Sequence, residues 1–144
     1  MSRSKRMQPV QQYVGKLEKD ALQEFGQCQQ MLQSQQQQLE KLRAYRQEYA
    51  DQMTANSNHA SITAGRMQDY QAFMAKLSEA IQQQEQTIAR MGQDLVEKRS
   101  RWKKSHVKSQ AVAKAVGRFS QQENADREKA EQKLQDEANL RKKI

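Results

Sequence analysis

The sequence predicts an all-α fold, a long antiparallel two-helix coiled-coil hairpin. Two stretches carry apolar residues at alternating steps of three and four, and the segment between them is rich in Asn, Ser and Thr. The 144 residues include one Pro and five Gly, so helix breakers are rare. A helix with one apolar stripe needs a partner that covers it. The two stripes most simply cover each other, within one chain or between two open chains.

The first element is a flexible basic lead, residues 1–9, that ends at Pro9. Proline suits the first turn of a helix because its missing N–H would be unpaired there. Helix 1 is therefore predicted over residues 10–53. Its stripe contains Val10, Val14, Leu17, Ala21, Phe25, Cys28, Leu32, Gln35, Leu39, Leu42, Arg46, Tyr49 and Met53.

The reversal is predicted over residues 54–65, where short polar side chains compete for backbone hydrogen bonds. Ser61 or Thr63 is the expected cap of the next helix. Helix 2 is predicted over 66–120 and is expected to outrun helix 1, with a marginal helical tail over 121–144. Its stripe contains Met67, Tyr70, Met74, Leu77, Ile81, Gln84, Ile88, Met91, Leu95, Lys98 and Trp102.

One glutamine interrupts the apolar stripe of each helix near its middle. Polar residues on a coiled-coil seam lower stability but fix register, so Gln35 and Gln84 are predicted to face one another. Glutamine tracts are also typical of disordered chains, yet the apolar rhythm runs through them unbroken. The helical interpretation is therefore preferred.

The composition argues against catalysis. Hydrophobic residues make up only 35% of the chain, which allows a thin helical pair and no concave apolar pocket. The single cysteine, Cys28, falls on the seam, where a buried structural role is expected. His59 and His106 have no carboxylate or thiol at ligand spacing, so no metal or cofactor site is predicted. No apolar run approaches a membrane span or a signal peptide, and a cytoplasmic location is expected.

Positive charge is concentrated in helix 2. The net charge is +8, and residues 97–118 contain Glu97 as their only acidic residue. Their basic residues are Lys98, Arg99, Arg101, Lys103, Lys104, Lys108, Lys114 and Arg118. Such a run attracts an acidic partner or nucleic acid, or is a solvated helix face. Trp102 is the only aromatic residue in the run and lies on the seam, which favours packing over base stacking.

Aromatic residues flank the predicted reversal in a distinctive arrangement. The end of helix 1 contains Tyr45 and Tyr49, helix 2 opens with Tyr70 and Phe73, and Trp102 follows about 30 residues later among basic neighbours. In this order and spacing, residues 36–110 resemble the flagellar FliJ family, whose members are small coiled-coil components of the flagellar type III export apparatus that supports motility.

The resemblance implies a hairpin similar to the central stalk of rotary ATPases. It implies that the end formed by both termini enters the ring of the export ATPase FliI and promotes its assembly and activity. It also implies binding to the export gate protein FlhA and cycling of export chaperones. The protein would meet the membrane only peripherally, through the export apparatus, and nucleic acid is not an expected partner.

The family's gate-binding face corresponds here to one stripe of helix 2, with steps of four, three and four. It comprises Phe73, Leu77, Ala80 and Gln84. Leu77 and Gln84 also belong to the seam, so the expectation is that the edge with Phe73 and Ala80 lies in solvent. Relatives commonly carry His at the last position, where this chain has Gln.

The expected ATPase contacts are cations near the termini. The candidates on helix 2 are Arg101, Lys103 and Lys104. Nucleotide binding by the chain itself is not expected, because its glycines are dispersed and form no phosphate-binding loop. The alternatives are a basic coiled coil that binds nucleic acid and a structural spacer without partner-dependent activity.

Overall fold

A computed structural model describes residues 2–59 and 63–143 of the chain. They form two helices, α1 over Arg3–His59 and α2 over Ala64–Lys143, and no strand occurs among them. The predicted all-α helical hairpin is confirmed. The bounds of its elements differ from the prediction at both termini and at the reversal.

The N-terminal lead is helical, so the predicted start at residue 10 is wrong. Ser2 caps α1, because its Oγ accepts a hydrogen bond from the Lys5 backbone N–H at 3.4 Å. Glu123 of α2 adds a second cap, since its Oε1 accepts the Ser4 N–H at 3.0 Å and its Oε2 accepts the Ser4 hydroxyl at 2.7 Å. Pro9 lies inside the helix. These caps satisfy N–H groups of the first turn, which the sequence periodicity does not reveal.

The predicted reversal over 54–65 is too long. α1 continues to His59 and α2 begins at Ala64. Thr63 is the cap of α2, as predicted, because its hydroxyl oxygen accepts the Arg66 N–H at 3.2 Å. The other cap candidate, Ser61, lies outside the described residues. Thr54 stays helical while its hydroxyl donates to the Ala50 carbonyl at 2.9 Å.

α2 runs without interruption through the predicted tail, as far as Lys143. Every residue from 124 to 143 is exposed, including Leu134 and Leu140. Glu123 contacts the start of α1, and α2 continues to Lys143, so α2 extends beyond its partner as predicted. This terminal segment gains no stability from burial.

The chain forms two compact units, where the sequence predicts a single domain. Unit 1 combines residues 2–23 with 100–143, and unit 2 comprises residues 24–99. Each unit pairs a segment of α1 with an antiparallel segment of α2. In unit 1 Ser4 meets Glu123 and Glu18 meets His106.

In unit 2 the contacts follow the same antiparallel order, from Glu24 with Lys98 to Cys28 with Asp94. The buried cluster comprises Leu39, Leu77 and Ile81, with Leu42, Phe73 and Ile88 packed against it. Cys28 is buried, as predicted for a seam residue. Its burial, together with the Asp94 carboxylate, raises the pKa of the thiol.

The predicted glutamine pair is confirmed. The Gln84 side-chain amide donates to Gln35 Oε1 at 2.6 Å and to the Gln35 backbone carbonyl at 3.1 Å. The pair therefore joins α1 and α2 at one register.

Two residues of unit 1 that were predicted to lie on the seam are largely exposed. Val10 and Leu17 are 43% and 40% exposed, so their assignment to the seam is wrong. Val14 takes the central position between the helices, and both residues fall to one side of it.

We expect Gln35 and Gln84 to be energetically coupled. Gln84→Leu leaves the Gln35 amide without its partner, which should lower the free energy of unfolding by about 1–2 kcal/mol. The double variant Gln35→Leu, Gln84→Leu removes both amides and should recover most of this loss. A double-mutant cycle by urea unfolding measures the coupling. Additive effects would contradict the pairing.

We expect the cap by Glu123 to weaken in acid. Hydrogen bonds from the Ser4 hydroxyl and then from the Ser4 N–H hold the pKa of Glu123 below its ordinary value of 4.5. A carboxylate whose folded pKa is lowered stabilises the fold above that ordinary value and loses its effect as pH falls through the folded pKa. Amide exchange at Ser4 should therefore accelerate in acid, beyond its intrinsic pH dependence.

The control for the cap is Glu123→Ala, which removes both acceptor oxygens. This variant should exchange faster at Ser4 already at neutral pH, and its remaining pH dependence should be that of an unprotected amide. An unchanged exchange rate at Ser4 in Glu123→Ala would show that the carboxylate does not cap α1.

Candidate partner-binding surfaces

An aromatic cluster lies in unit 2 beside the reversal. It consists of Tyr45, Tyr49, Tyr70 and Phe73. The Phe73 ring lies edge-on to Tyr45 with centroids 6.1 Å apart, and its centroid is 4.6 Å from that of Tyr49. The Tyr49 ring stacks on Tyr70 at 5.7 Å. Edge-on and offset arrangements of this kind stabilise aromatic pairs beyond the area they bury.

The four residues predicted to form the gate-binding face differ in exposure. Leu77 is buried, and Phe73, Ala80 and Gln84 are half-buried. The expectation of a solvent-exposed edge is therefore met only in part. Phe73 packs against the Leu39, Leu77 and Ile81 cluster, so its ring is shared between the core and the surface. The amide of Gln84 is engaged by Gln35.

Tyr45 also belongs to this surface, although it is not among the four residues predicted from the sequence. Its side chain is 51% exposed although its ring contacts Phe73. A shallow groove next to it, of about 460 Å³, is lined by Gln38, Lys41, Leu42 and Tyr45. The signal was present, because Tyr45 follows the seam residue Leu42 by three positions and so lies on the same side of α1.

The basic candidates lie on the α2 segment of unit 1. Arg101, Lys103 and Lys104 are all exposed. Residues 100–118 contain six basic and no acidic residues, and residues 2–23 contain five basic and two acidic ones. Unit 2 contains eight basic and nine acidic residues. The positive charge of the chain therefore belongs to the paired part of unit 1.

One of the two acids of residues 2–23, Glu18, is occupied by a contact within unit 1. Glu18 Oε1 lies 2.6 Å from His106 Nδ1, and hydrogen bonds from His106 and then Ser109 lower the pKa of Glu18. The His106 ring stacks on Trp102 with centroids 5.4 Å apart. Trp102 is half-buried, in agreement with a packing role.

Two further properties of the described residues bear on chemistry. No group of three His, Cys, Asp or Glu side chains among residues 2–59 and 63–143 is arranged to hold a metal ion. Neither helix, within the part described, has a stretch long and apolar enough to cross a membrane.

Comparison with known proteins decides the family. The model of the Flagellar FliJ protein family matches residues 3–144. The chain belongs to this family. Membership identifies it as a component of the flagellar protein export apparatus, and it agrees with the resemblance seen in the aromatic residues. No curated protein and no solved structure matches the chain.

Phe73 and Tyr45 are expected to contribute differently to the stability of this FliJ-family chain. Phe73→Ala removes half-buried contacts with the core cluster and should lower the free energy of unfolding by about 2 kcal/mol. Tyr45→Ser removes a mostly exposed ring and should cost less than about 1 kcal/mol. Thermal unfolding followed by circular dichroism measures both, and equal losses would contradict the different burial of the two rings.

Proposed function

We propose that the chain is a non-catalytic regulator of the export ATPase ring that links the ring to the export gate and helps to cycle export chaperones. The observation that carries this proposal is the family match, which extends over residues 3–144 and so includes both units. The partners implied are the ATPase FliI, the gate protein FlhA and the export chaperones. The protein would act on the cytoplasmic side of the cell membrane at the flagellar base.

The gate-binding surface in this proposal is the aromatic cluster with its exposed edge. Phe73 and Ala80 supply the half-buried part, and Tyr45 adds a ring that is available to a partner. Aromatic side chains supported by a rigid core are frequent anchors of protein interfaces. Leu77 and Gln84 act within the hairpin, where they hold the helices that present this surface.

The ATPase-binding part in this proposal is unit 1. Arg101, Lys103 and Lys104 present charge to an acidic ring lining, and the exposed helix over residues 124–143 offers a long surface without burial against α1. An unburied helix of this kind gains stability when a partner covers it. Both features belong to unit 1, the unit that contains both ends of the chain, and the family resemblance locates the ATPase contact at that end.

A substitution in the aromatic cluster tests gate binding. Tyr45→Ser should weaken binding to the purified gate protein by about tenfold, as expected for loss of one anchoring ring, while helicity stays unchanged. The matched control is Tyr13→Ser, which removes an exposed tyrosine from unit 1. Equal binding by the wild-type chain and Tyr45→Ser would remove Tyr45 from the surface.

The ATPase provides the test of regulation. Addition of the chain to the purified export ATPase should raise hydrolysis and ring formation, and Arg101→Gln, Lys103→Gln, Lys104→Gln together should reduce the effect. The charge-matched control neutralises Lys41, Arg66 and Lys76 of unit 2. Absence of any effect by the wild-type chain would favour a structural spacer.

A nucleic-acid-binding coiled coil is the alternative that the positive charge of unit 1 keeps open. It predicts binding to a duplex with an affinity that falls steeply as salt rises. The aromatic rings do not favour it, because Trp102 in the basic segment and Phe119 just after it are half-buried and so poorly available for base stacking.

A further inference from the structure

One side of unit 1 combines exposed apolar side chains with cations. On α1, residues at steps of three and four form a single stripe along the helix. This stripe contains Arg3, Arg6, Val10, Tyr13 and Leu17. Its three apolar members are 43%, 62% and 40% exposed, in chain order. They flank the buried Val14 on one side and stay partly open to solvent.

A second stripe runs along the paired segment of α2 with the same steps. It contains Arg101, Lys104, Lys108, Ala111, Ala115 and Phe119. The three cations are exposed. Acidic residues lie at the ends of the two stripes. Asp20 follows Leu17 by three positions on α1, and Glu123 and Asp126 line a groove with Arg3, Arg6 and Phe119. The five cations of the stripes outnumber these three acids.

Contacts at the chain's N-terminal end show that the two stripes lie on the same side of unit 1. The Arg3 guanidinium carbon is 5.6 Å from the centroid of the Phe119 ring. Arg3, Arg6, Met7 and Phe119 line one groove between the helices. We call this combined surface the basic apolar face, made of the two stripes named above. The link between Glu18 and His106 joins the helices on the other side of Val14.

We propose that the basic apolar face docks directly onto an anionic membrane surface. Five cations, Arg3, Arg6, Arg101, Lys104 and Lys108, share this face with the apolar residues Val10, Tyr13 and Leu17. Lysine and arginine attract anionic headgroups, and aliphatic side chains enter the boundary between headgroups and acyl chains. Tyrosine suits this boundary because its ring is apolar and its hydroxyl is polar.

The balance of charge and apolar area favours a lipid surface over an acidic protein. Three partly exposed apolar side chains are few for a stable protein interface, which typically needs about 800 Å² from each partner. A fluid bilayer can bring an anionic headgroup to each of the five cations, whatever their spacing. The face would therefore bind lipid through electrostatics, with a small apolar contribution from its centre.

This proposal adds a direct lipid contact to a protein that the proposed function connects to the membrane through its partners. It does not depend on the ATPase or the gate protein, so the two proposals can fail separately. Arg101 and Lys104 belong to both the basic apolar face and the suggested ATPase contact. Lipid and the ATPase would therefore compete for unit 1.

Cosedimentation of the full chain with vesicles tests the proposal. The chain should bind phosphatidylcholine vesicles that contain phosphatidylglycerol, should bind pure phosphatidylcholine vesicles much more weakly, and should dissociate as salt rises. Arg101→Gln, Lys104→Gln, Lys108→Gln together should weaken binding by at least about tenfold. Tyr13→Ser with Leu17→Ser should also weaken it, with little change in its salt dependence.

The control that isolates the face neutralises the same number of charges elsewhere on unit 1. Lys19, Lys103 and Lys114 are exposed and lie off both stripes. Lys19→Gln, Lys103→Gln, Lys114→Gln together should retain more binding than the variant of the face. Circular dichroism of every variant should show unchanged helicity, and the single variant Tyr13→Ser serves as the milder probe should the double variant unfold.

Three results would overturn the proposal. Absence of binding to the anionic vesicles would remove lipid as the occupant. Equal losses of vesicle binding in the face variant and the control variant would show that binding depends on net charge and not on the basic apolar face. Binding of polyglutamate that depends on Tyr13, without vesicle binding, would assign the face to an acidic protein.

Discussion

The structure depends on mutual coverage of two narrow apolar seams. The helices have too few apolar residues to form a separate core, so the burial that stabilises each helix comes from the other. In unit 2 the helices cover each other around Leu39, Leu77 and Ile81, and the hydrogen bond from Gln84 to Gln35 favours the observed register. In unit 1 the burial is sparser, and polar contacts to Glu123 and Glu18 supplement it.

The same sparseness creates the surfaces that recognise partners. A side chain beside a narrow seam is half-buried at most, so Phe73 can support the core while Tyr45, against which it packs, stays open. In unit 1 Val10 and Leu17 are displaced from the seam by the central Val14 and become surface residues. The proposed gate-binding surface and the basic apolar face therefore arise from residues at the edges of the pairing.

Sequence periodicity predicted the fold class, the glutamine pair and the burial of Cys28, because each follows from which residues share a helix face. It could not predict the start of α1, which depends on a carboxylate 119 positions away along the chain. It also missed Tyr45. A step pattern separates seam from surface, but it does not show how far a ring beside the seam is covered. The positive charge of residues 100–118 is visible in the sequence. That these residues share one side of unit 1 with Val10, Tyr13 and Leu17 is shown only by the structure, through the contact between Arg3 and Phe119.

The pairing of α1 and α2 within one chain, at the register of Gln35 and Gln84, underlies the fold and both proposed surfaces. Site-directed cross-linking tests this pairing in a Cys28→Ser background, with Gln35→Cys and Gln84→Cys joined by a short bis-maleimide. A cross-link within a monomer is expected. None is expected when cysteines replace Gln35 and Leu95, because Leu95 lies about 16 Å from Gln84 along α2. Cross-linked dimers, or efficient cross-linking of the Leu95 pair, would contradict this pairing.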